Sequence, residues 1–436
     1  MKKKLLTLAL ATVITVLSIG VYTSPKVTLH FVMWSYGVEI VQDNIRKFME
    51  MYPDIEVIQE TFSWFKYHDI IVSRFTTGVK TEVLYASDHW LQEWAEAGWL
   101  VPIEDYYPEI AEYKDDMPRY VIEGMTYEGK LYGLPYYADL MIFMYNDVML
   151  KEAGYEKPPE TWDEFVQMCL TMKEKGLSEY PFILMLKADE PQAIEAFFAI
   201  AYSFGGRFFD ENLNPIFNQP DNGVYKALEF LAKAYQEWKI LDPASFESGD
   251  IAVTKAMASG RHFATVIMKY DLAEVNNPEV SELAKKYTKP FKMALMPGTH
   301  ETVGFVRFYA MSRDAVEGGK EVMDAAWKFI EYMGGKTDGE YKVVKRWALE
   351  RGLGFGILSL YDDPDVREAI NKWGDVDLEK QQAQLARAKE GMTPWFGEWD
   401  IYARIQIQKA VLGELSVKEA LDNMAEKWLE LKSEYE

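Results

Sequence analysis

Short apolar runs alternate with amphipathic stretches after the apolar N-terminus, and this pattern restricts the possible folds more than any other feature. Val27–Met33 alternates like a strand, and Val38–Met51 places its apolar residues at helical spacing. Ile55–Ile58 predicts a second strand, Trp64–Phe75 a second helix and Val83–Ala86 a third strand. Because strands that alternate with helices pair in parallel through crossovers, the sequence predicts an α/β fold.

The remainder of the chain is predominantly helical in its pattern. Thr161 and Glu164 form a capping box, which predicts a helix that begins there and ends near Gly176. Phe263–Met268 is predicted as a buried strand. The other predicted helices are an amphipathic segment with Val224, Leu228, Leu231, Tyr235 and Trp238 on one face, then Ile251–Ser259, Asp324–Met333, Ile401–Leu412 and Ser416–Leu431.

Length and composition limit the classes of protein further. A chain of 436 residues exceeds what one hydrophobic core normally serves, so we expect two domains. No stretch resembles a flexible linker, which places the domain boundaries in ordered crossing segments. The formal charge of −22 would repel a phosphate backbone, so no nucleic-acid partner is expected. Cys169 has no second cysteine to pair with, which excludes a disulfide framework.

The first residues have the pattern of a targeting segment. Lys2, Lys3 and Lys4 precede an uncharged apolar stretch from Leu5 to Pro25, as in a secretory signal peptide. The end of this stretch has no A-x-A cleavage motif, although Ser18-Ile19-Gly20 offers small residues at the right spacing. Residues 1–24 are therefore predicted as a signal peptide or, alternatively, as an uncleaved N-terminal anchor.

The candidate catalytic residues are few. The five histidines and Cys169 show no metal-ligand spacing, and no G-x-S-x-G motif is present. We therefore expect no catalytic residue, no metal and no cofactor. The 69 acidic residues always supply candidate carboxylate pairs, so a secreted glycoside hydrolase or lyase remains the alternative of a different class.

Aromatic residues stand next to polar ones at the predicted strand ends and loops. A sugar ring has apolar C–H faces and a rim of hydroxyls, so its binding site needs flat aromatic walls and polar acceptors together. The sequence supplies both in the clusters Trp34-Ser35-Tyr36, Trp64 to His68, Asp88-His89-Trp90, Tyr136 to Asp139 and Trp395 to Trp399.

One long stretch and several shorter ones resemble a known family. The stretch EGKLYGLPYYADLMIFMYNDVMLKEAGYEKPPETWDEF, Glu128 to Phe165, is similar to the segment that crosses between lobes in extracellular solute-binding proteins of carbohydrate ABC transporters. These are the maltose-binding-protein-like proteins. Further matches in the same order are WSYGVE, SDHWLQEWAEAGWLVPIED, KAMASGRHFATVIM and VLGELSVKEALDNM.

The resemblance implies a two-lobed α/β fold with the second periplasmic-binding-protein topology and a hinge of three segments. The crossings would lie near Leu134 to Asp139, Met296 to Phe305 and Gly352 to Leu360. One lobe would contain residues 25–136 and 305–354, and the other would contain residues 137–304 and 355–436. A ligand would bind between the lobes and close them.

Binding residues follow from the resemblance by position. Glu39, Asp88 and Asp139 would accept hydrogen bonds from sugar hydroxyls, and Arg307 would face the pocket. The loop from Asn371 to Thr393 aligns with no pattern. The remaining residues carried over to the ligand site are the aromatic or apolar walls Tyr36, Trp64, Trp90, Tyr137, Met268, Tyr270, Trp395 and Trp399.

The implied function is non-enzymatic binding of a neutral carbohydrate, either a monosaccharide or an oligosaccharide, for an ABC importer. The implied partners are the carbohydrate and the permease subunits, with the protein a monomer. It would be periplasmic, or tethered by an uncleaved N-terminal segment. The same fold could instead bind a polyol, a phosphorylated polyol, a polyamine or a peptide; acidic pocket residues disfavour the phosphorylated ligand.

Overall fold

A computed structural model describes residues 27–435, so the predicted signal peptide or anchor, residues 1–24, lies outside the described residues. Within the described range, no helix is both long enough and apolar enough to cross a membrane. The strands are β1 (Val27–Trp34), β2 (Ile55–Phe62), β3 (Val83–Ser87), β4 (Thr126–Tyr127), β5 (Lys130–Leu131), β6 (Gly133–Asn146), β7 (Ala264–Met268), β8 (Phe291–Ala294), β9 (Thr302–Met311) and β10 (Ala386–Arg387).

Helices surround these strands, and three further segments, Pro108–Asp116, Pro243–Glu247 and Leu358–Asp362, are 3₁₀ helices. The α-helices are α1 (Val38–Met51), α2 (Trp64–Thr77), α3 (Leu91–Glu96), α4 (Ile103–Tyr106), α5 (Arg119–Gly124), α6 (Asp147–Glu152), α7 (Trp162–Glu174), α8 (Gln192–Ser203), α9 (Gly223–Gln236), α10 (Asp250–Ala258), α11 (Asp271–Val275), α12 (Glu282–Lys286), α13 (Arg313–Glu317), α14 (Lys320–Gly334), α15 (Lys342–Arg351), α16 (Pro364–Asn371), α17 (Val376–Leu385), α18 (Phe396–Leu412) and α19 (Val417–Tyr435).

The sheet confirms the predicted α/β class. Its strand order is β2-β1-β3-β9-β6-β7, with β8 paired to β6 and β10 paired to β9. β1 pairs in parallel with β2 and β3, as strands joined by crossover helices should. By contrast, β9 pairs antiparallel with β3 on one side and with β6 on the other. We call the part built on β1, β2 and β3 the first lobe, and the part built on β7 and β8 the second lobe.

β6 is a 14-residue strand that belongs to both lobes. From Gly133 to Leu140 it pairs with β9, and from Met141 to Asn146 it pairs with β7 and β8. Its burial is nearly continuous, because neighbouring strands and helices cover both of its faces. The chain therefore passes between the lobes along a strand rather than through a loose tether.

A third segment joins the strands at this crossing. Gly354, which follows α15, accepts a hydrogen bond from the backbone N–H of Ala138 at 3.3 Å. A Cβ at Gly354 would collide with the carbonyl oxygen of Ala138 and would lie 3.2 Å from Cγ of Asp139. Only glycine allows this close backbone approach, so the crossing depends on the absence of a side chain there.

Replacing Gly354 with alanine is expected to lower the free energy of unfolding by about 1–3 kcal/mol, because the added methyl group must push β6 aside. The matched control is Gly397→Ala in the first turn of α18, where a Cβ meets nothing within 4 Å. Alanine there should leave stability unchanged or raise it slightly. Urea unfolding of both variants checks this; equal midpoints would contradict the close approach.

Candidate functional site

An aromatic cluster lies at the carboxyl ends of β1 and β3, where open α/β sheets place their ligands. Trp64, the first residue of α2, packs edge-on against Trp34 with ring centroids 5.0 Å apart and at a tilt against Trp90 at 4.9 Å. Trp34 is buried, whereas Trp64 keeps 38% of its surface exposed. The two neighbours therefore fix the Trp64 ring and leave part of it open to a ligand.

Arg307 connects this aromatic cluster to a buried carboxylate. On β9 it lies between Ser87 of β3 and Tyr137 of β6 in the strand register. Its Nη1 donates to Oδ1 of Asp88 at 2.5 Å, and its guanidinium lies over the Trp64 ring, 5.5 Å from the centroid. Burial opposes ionisation of Asp88, but the charges of Arg307, His89 and Lys389 together outweigh it and hold the pKa of that carboxyl below its ordinary value.

Two tyrosines extend the polar part of the site. The hydroxyl of Tyr137 donates to Oδ2 of Asp139 at 3.2 Å, and its ring packs edge-on against Phe305 at 5.9 Å. Tyr270, just beyond β7, donates to Oδ2 of Asp250 at 2.9 Å and is 37% exposed. Burial and the nearby carboxylates raise the pKa of both hydroxyls, so both stay protonated and able to donate at neutral pH.

Five of the sequence-predicted residues thus form one contiguous set: Trp64, Asp88, Trp90, Tyr137 and Arg307. Tyr270 of the second lobe lies close enough to Tyr137 to contribute to the raised pKa of its hydroxyl. The set combines an exposed flat ring, a fixed carboxylate, a guanidinium and a phenolic hydroxyl. These are the groups that can bind a ring with one apolar face and several hydroxyls.

The structure places Asp139 differently from the sequence expectation. Asp139 has no exposed surface, and its Oδ1 accepts from the backbone N–H of Leu140 at 2.9 Å. Nζ of Lys269 lies 3.8 Å from Asp139 and 3.4 Å from the equally buried Glu379. Asp139 is therefore a buried residue of the crossing rather than a ligand acceptor. Met268, the last residue of β7, is also buried, with 2% of its surface exposed.

The two predicted tryptophans near the C-terminus are core residues. Trp399 has no exposed surface, its Nε1 donates to the carbonyl of Met424 at 2.9 Å, and its ring packs edge-on against Trp428 at 5.4 Å. Trp395 packs against Trp428 and against Tyr435. The prediction that Trp395 and Trp399 form walls of the ligand site is therefore wrong. Both rings pack against α19 and hold α18 and α19 together.

Tyr36 and Glu39 lie on the surface beside α15. Tyr36 is 42% exposed and stacks on Trp347, with an interplanar angle of 21°. Glu39, in the first turn of α1, forms an ion pair with Arg351 at the end of α15. Both side chains are accessible, but neither is part of the contiguous set.

A buried charge cluster between the lobes was not predicted from the sequence. Nζ of Lys389 donates to Oε1 of Glu195 on α8 at 2.8 Å and contacts Nε2 of His89 from the first lobe. The side chains of Lys389 and Glu195 are only 1% and 5% exposed. Lys389 follows β10 in the segment 371–393, which was predicted as a loop because it matched no pattern but which contains α17 and β10.

The structure contains two notable cavities, of which only the smaller is lined by residues described above. The smaller, of about 140 Å³, lies between the lobes and is below the roughly 300 Å³ usual for a small-molecule pocket. It is lined by Asp88, Gln92, Glu123, Arg387, Lys389 and Glu390, among others. A larger cavity of about 570 Å³ lies on the second lobe beside β8 and Trp373, and it includes none of the predicted site residues.

In the part of the chain that the structure describes, no group of three or more His, Cys, Asp or Glu side chains could hold a metal ion. The arrangement supplies hydrogen-bond donors, carboxylate acceptors and an aromatic face on rigid elements. Such a site recognises a ligand by contact and orientation.

A comparison with protein families matches residues 34–340 to the model for bacterial extracellular solute-binding proteins. Among curated relatives, the maltotriose-binding protein of Pyrococcus abyssi is 23% identical, with 79% of this chain and 69% of the relative covered. The mannitol-binding protein of Pseudomonas aeruginosa is 27% identical, with 44% of this chain and 43% of the relative covered.

Solved structures share the fold. The sugar-binding protein MalE from Xanthomonas citri superposes with a TM-score of 0.79 at 20% identity, covering 94% of this chain and 98% of the other. At this identity the likeness shows the fold, which confirms the predicted two-lobed architecture.

Removing Lys389 should be strongly destabilising. Lys389→Met leaves Glu195 buried without its cation, which is expected to lower the free energy of unfolding by about 3–5 kcal/mol. The double variant Lys389→Met/Glu195→Leu removes both charges and should recover most of that loss. Denaturant unfolding of the single and double variants measures the coupling; strictly additive losses would contradict a buried ion pair.

The same cluster predicts a loss of stability in acid. Burial and Lys389 lower the pKa of His89, so its stabilising contribution is complete above its ordinary pKa of 6.5 and is lost as the pH falls below it. Glu195, whose pKa is lowered mainly by Lys389 against the effect of burial, adds a loss below pH 4.5. His89→Asn should flatten the profile of unfolding free energy between pH 6.5 and 5; an unchanged slope would contradict this.

Proposed function

The chain belongs to the bacterial extracellular solute-binding proteins, and from this premise we propose that it is the substrate-binding component of an ABC importer for a neutral carbohydrate. The ligand would bind between the two lobes, against the contiguous set that surrounds Trp64 and Arg307. The observation that carries this proposal is the half-open Trp64 ring, fixed by two tryptophans and set beside the buried pair of Arg307 and Asp88.

The ligand class is supported by the relatives and by the chemistry of the site. One relative is named for maltotriose and another for mannitol, and both ligands are neutral and rich in hydroxyls. The apolar face of a sugar ring would stack on Trp64, while Asp88 and Tyr137 would bind hydroxyls in the ring plane. A ligand lacking a matching hydroxyl would leave one of these buried groups unpaired, so sugar isomers should differ strongly in affinity.

Lobe closure would follow from the three crossing segments. We place the boundaries at 25–136 with 305–354 and at 137–304 with 355–436, close to where β6 changes its partner strand. A ligand that contacts Trp64 from one lobe and Tyr270 from the other gains its full contacts only when the lobes are closed. Binding therefore shifts the population toward the closed state.

The protein would act by binding alone, without turnover of the sugar, and as a monomer. It would work outside the inner membrane, periplasmic or tethered, and deliver the ligand to permease subunits. The family is extracellular and consists of solute-binding proteins, which supports this placement and this role.

Trp64→Ala should weaken binding of the carbohydrate by about 1–4 kcal/mol, the range of a central aromatic contact, because the stacking surface is lost. The ligand is first identified by thermal shift against monosaccharides, disaccharides, oligosaccharides and polyols, and is recovered afterwards to establish that it is intact. Calorimetry of the wild type and the variant then gives the difference in affinity.

The control is Trp399→Phe in the core of the second lobe, which should lower the melting temperature and leave the affinity unchanged. Unchanged affinity in Trp64→Ala would show that the ligand does not stack on Trp64. Absence of any shift with every carbohydrate and polyol would refute the carbohydrate assignment, and a cleaved ligand would favour the hydrolase alternative.

A further inference from the structure

The smaller cavity, which we call the interlobe cavity, lies next to the contiguous set. Asp88 belongs to both, because it lines this cavity while its Oδ1 binds the Arg307 guanidinium that lies over the Trp64 ring. A sugar ring stacked on Trp64 can therefore place a short substituent in the cavity. With about 140 Å³, less than half of the roughly 300 Å³ that encloses a small molecule, the cavity can take part of a sugar but not a whole ring.

The other charged groups in the cavity wall already have partners within the fold. Oε2 of Glu123 accepts from the backbone N–H of Ala388 at 3.1 Å, and Oε2 of Glu390 accepts from the backbone N–H of Phe208 at 2.7 Å. Lys389 is held by the buried charge cluster described above. Because these charges are already paired, the wall favours a neutral group over an ionic one.

Two polar atoms of the same wall lack a partner. Oε1 of Gln92 on α3 and Nε of Arg387 on β10 are buried, and neither has a hydrogen-bond partner among the described residues. The two terminal nitrogens of Arg387 lie 3.6 Å from Glu301 and 3.5 Å from Glu390, which holds the guanidinium in place. Buried polar atoms without a partner cost free energy, and a group that enters the cavity can supply the missing bonds.

A hydroxyl group matches these two atoms, because it donates one hydrogen bond and accepts others. It can donate to Oε1 of Gln92 and accept from Nε of Arg387, whereas a hydrogen atom in its place would leave both unpaired. In a hexose ring the hydroxymethyl group carries its hydroxyl on a rotatable carbon outside the ring. This neutral arm can therefore enter a cavity that is too small for the ring itself.

We propose that the interlobe cavity is a subsite for the hydroxymethyl group of a hexose unit, and that Gln92 and Arg387 recognise its hydroxyl. The inference rests on the proposed function and deepens it, because it names hexoses rather than pentoses as the preferred class of sugar. Neither residue is among those predicted from the sequence, since α3 and β10 line one cavity only in the folded chain.

The test uses pairs of sugars that differ by this group: glucose with xylose, galactose with L-arabinose, mannose with lyxose, and cellobiose with xylobiose. In calorimetry, at least one hexose sugar should bind about 10- to 100-fold more tightly than its pentose counterpart, because the pentose leaves both buried atoms unpaired. Gln92→Leu should remove most of this preference. Arg387→Lys, which keeps the charge but lacks the Nε donor, should reduce it as well.

The matched control is Gln408 on α18, whose Nε2 donates to the carbonyls of Leu186 at 3.0 Å and Phe246 at 3.2 Å. Gln408→Leu loses these bonds and should lower the melting temperature without changing the preference for hexoses. Gln92→Leu removes an amide whose Oε1 has no partner, so the melting temperature without ligand should stay the same or rise. A fall as large as that of Gln408→Leu would show that Gln92 is already hydrogen-bonded within the fold, and would overturn the subsite.

The outcomes separate the two proposals. Pentoses that bind as tightly as their hexose counterparts, or glucuronate that binds more tightly than glucose, overturn the subsite and leave the carbohydrate function standing. Where the thermal-shift screen finds a carbohydrate or polyol outside these pairs, its affinity is compared between the wild type and Gln92→Leu. A loss of about tenfold supports the subsite, and unchanged affinity overturns it. If no carbohydrate or polyol binds at all, the proposed function fails and the subsite fails with it.

Discussion

The antiparallel pairing of β6 with β9 is the interaction on which the rest of the structure depends. Both strands are almost completely buried. β6 pairs with strands of both lobes, and β9 pairs with β3 of the first lobe, with β6 and with β10. Gly354 joins them by direct backbone contact at Ala138. Because the crossing is made of paired strands, we expect any relative motion of the lobes to occur by bending at this place.

The same strand pairing determines where the charged side chains of the site lie. Arg307 reaches Asp88 and Trp64 because β9 lies between β3 and β6. Lys269, which directly follows β7, lies within ion-pair distance of both Asp139 and Glu379. Charge on the second-lobe side is distributed unequally. Lys389 contacts both Glu195 and His89, whereas within residues 27–435 Asp250 and Asp271 form no ion pair with a lysine, arginine or histidine.

The sequence predicted the fold well and the site only in part. Apolar periodicity located β1 and α1, and the capping pair of Thr161 and Glu164 located the start of α7, because local pattern decides those elements. It set the end of β2 at Ile58 rather than Phe62, where the strand becomes polar, and began α18 at Ile401 rather than Phe396, where Gly397 and the aromatics hide the helical period. At the site, the sequence could not predict which side chains are buried. Trp64 and Trp399 look alike in sequence, and only the packing of the folded chain shows that the first ring is exposed and the second lies in the core. Lys389 acts through contacts with residues far along the chain, which no local pattern reveals.

The measurement that tests the central claim most directly is a crystal structure of the chain with the carbohydrate found by thermal shift. The account predicts that the sugar lies between the lobes, with one ring face on Trp64 and its hydroxyls within hydrogen-bond distance of Asp88 and Tyr137. It also predicts Tyr270 in contact with the ligand from the second lobe. A sugar bound instead in the cavity beside β8 and Trp373, with the space between the lobes unchanged, would contradict the account.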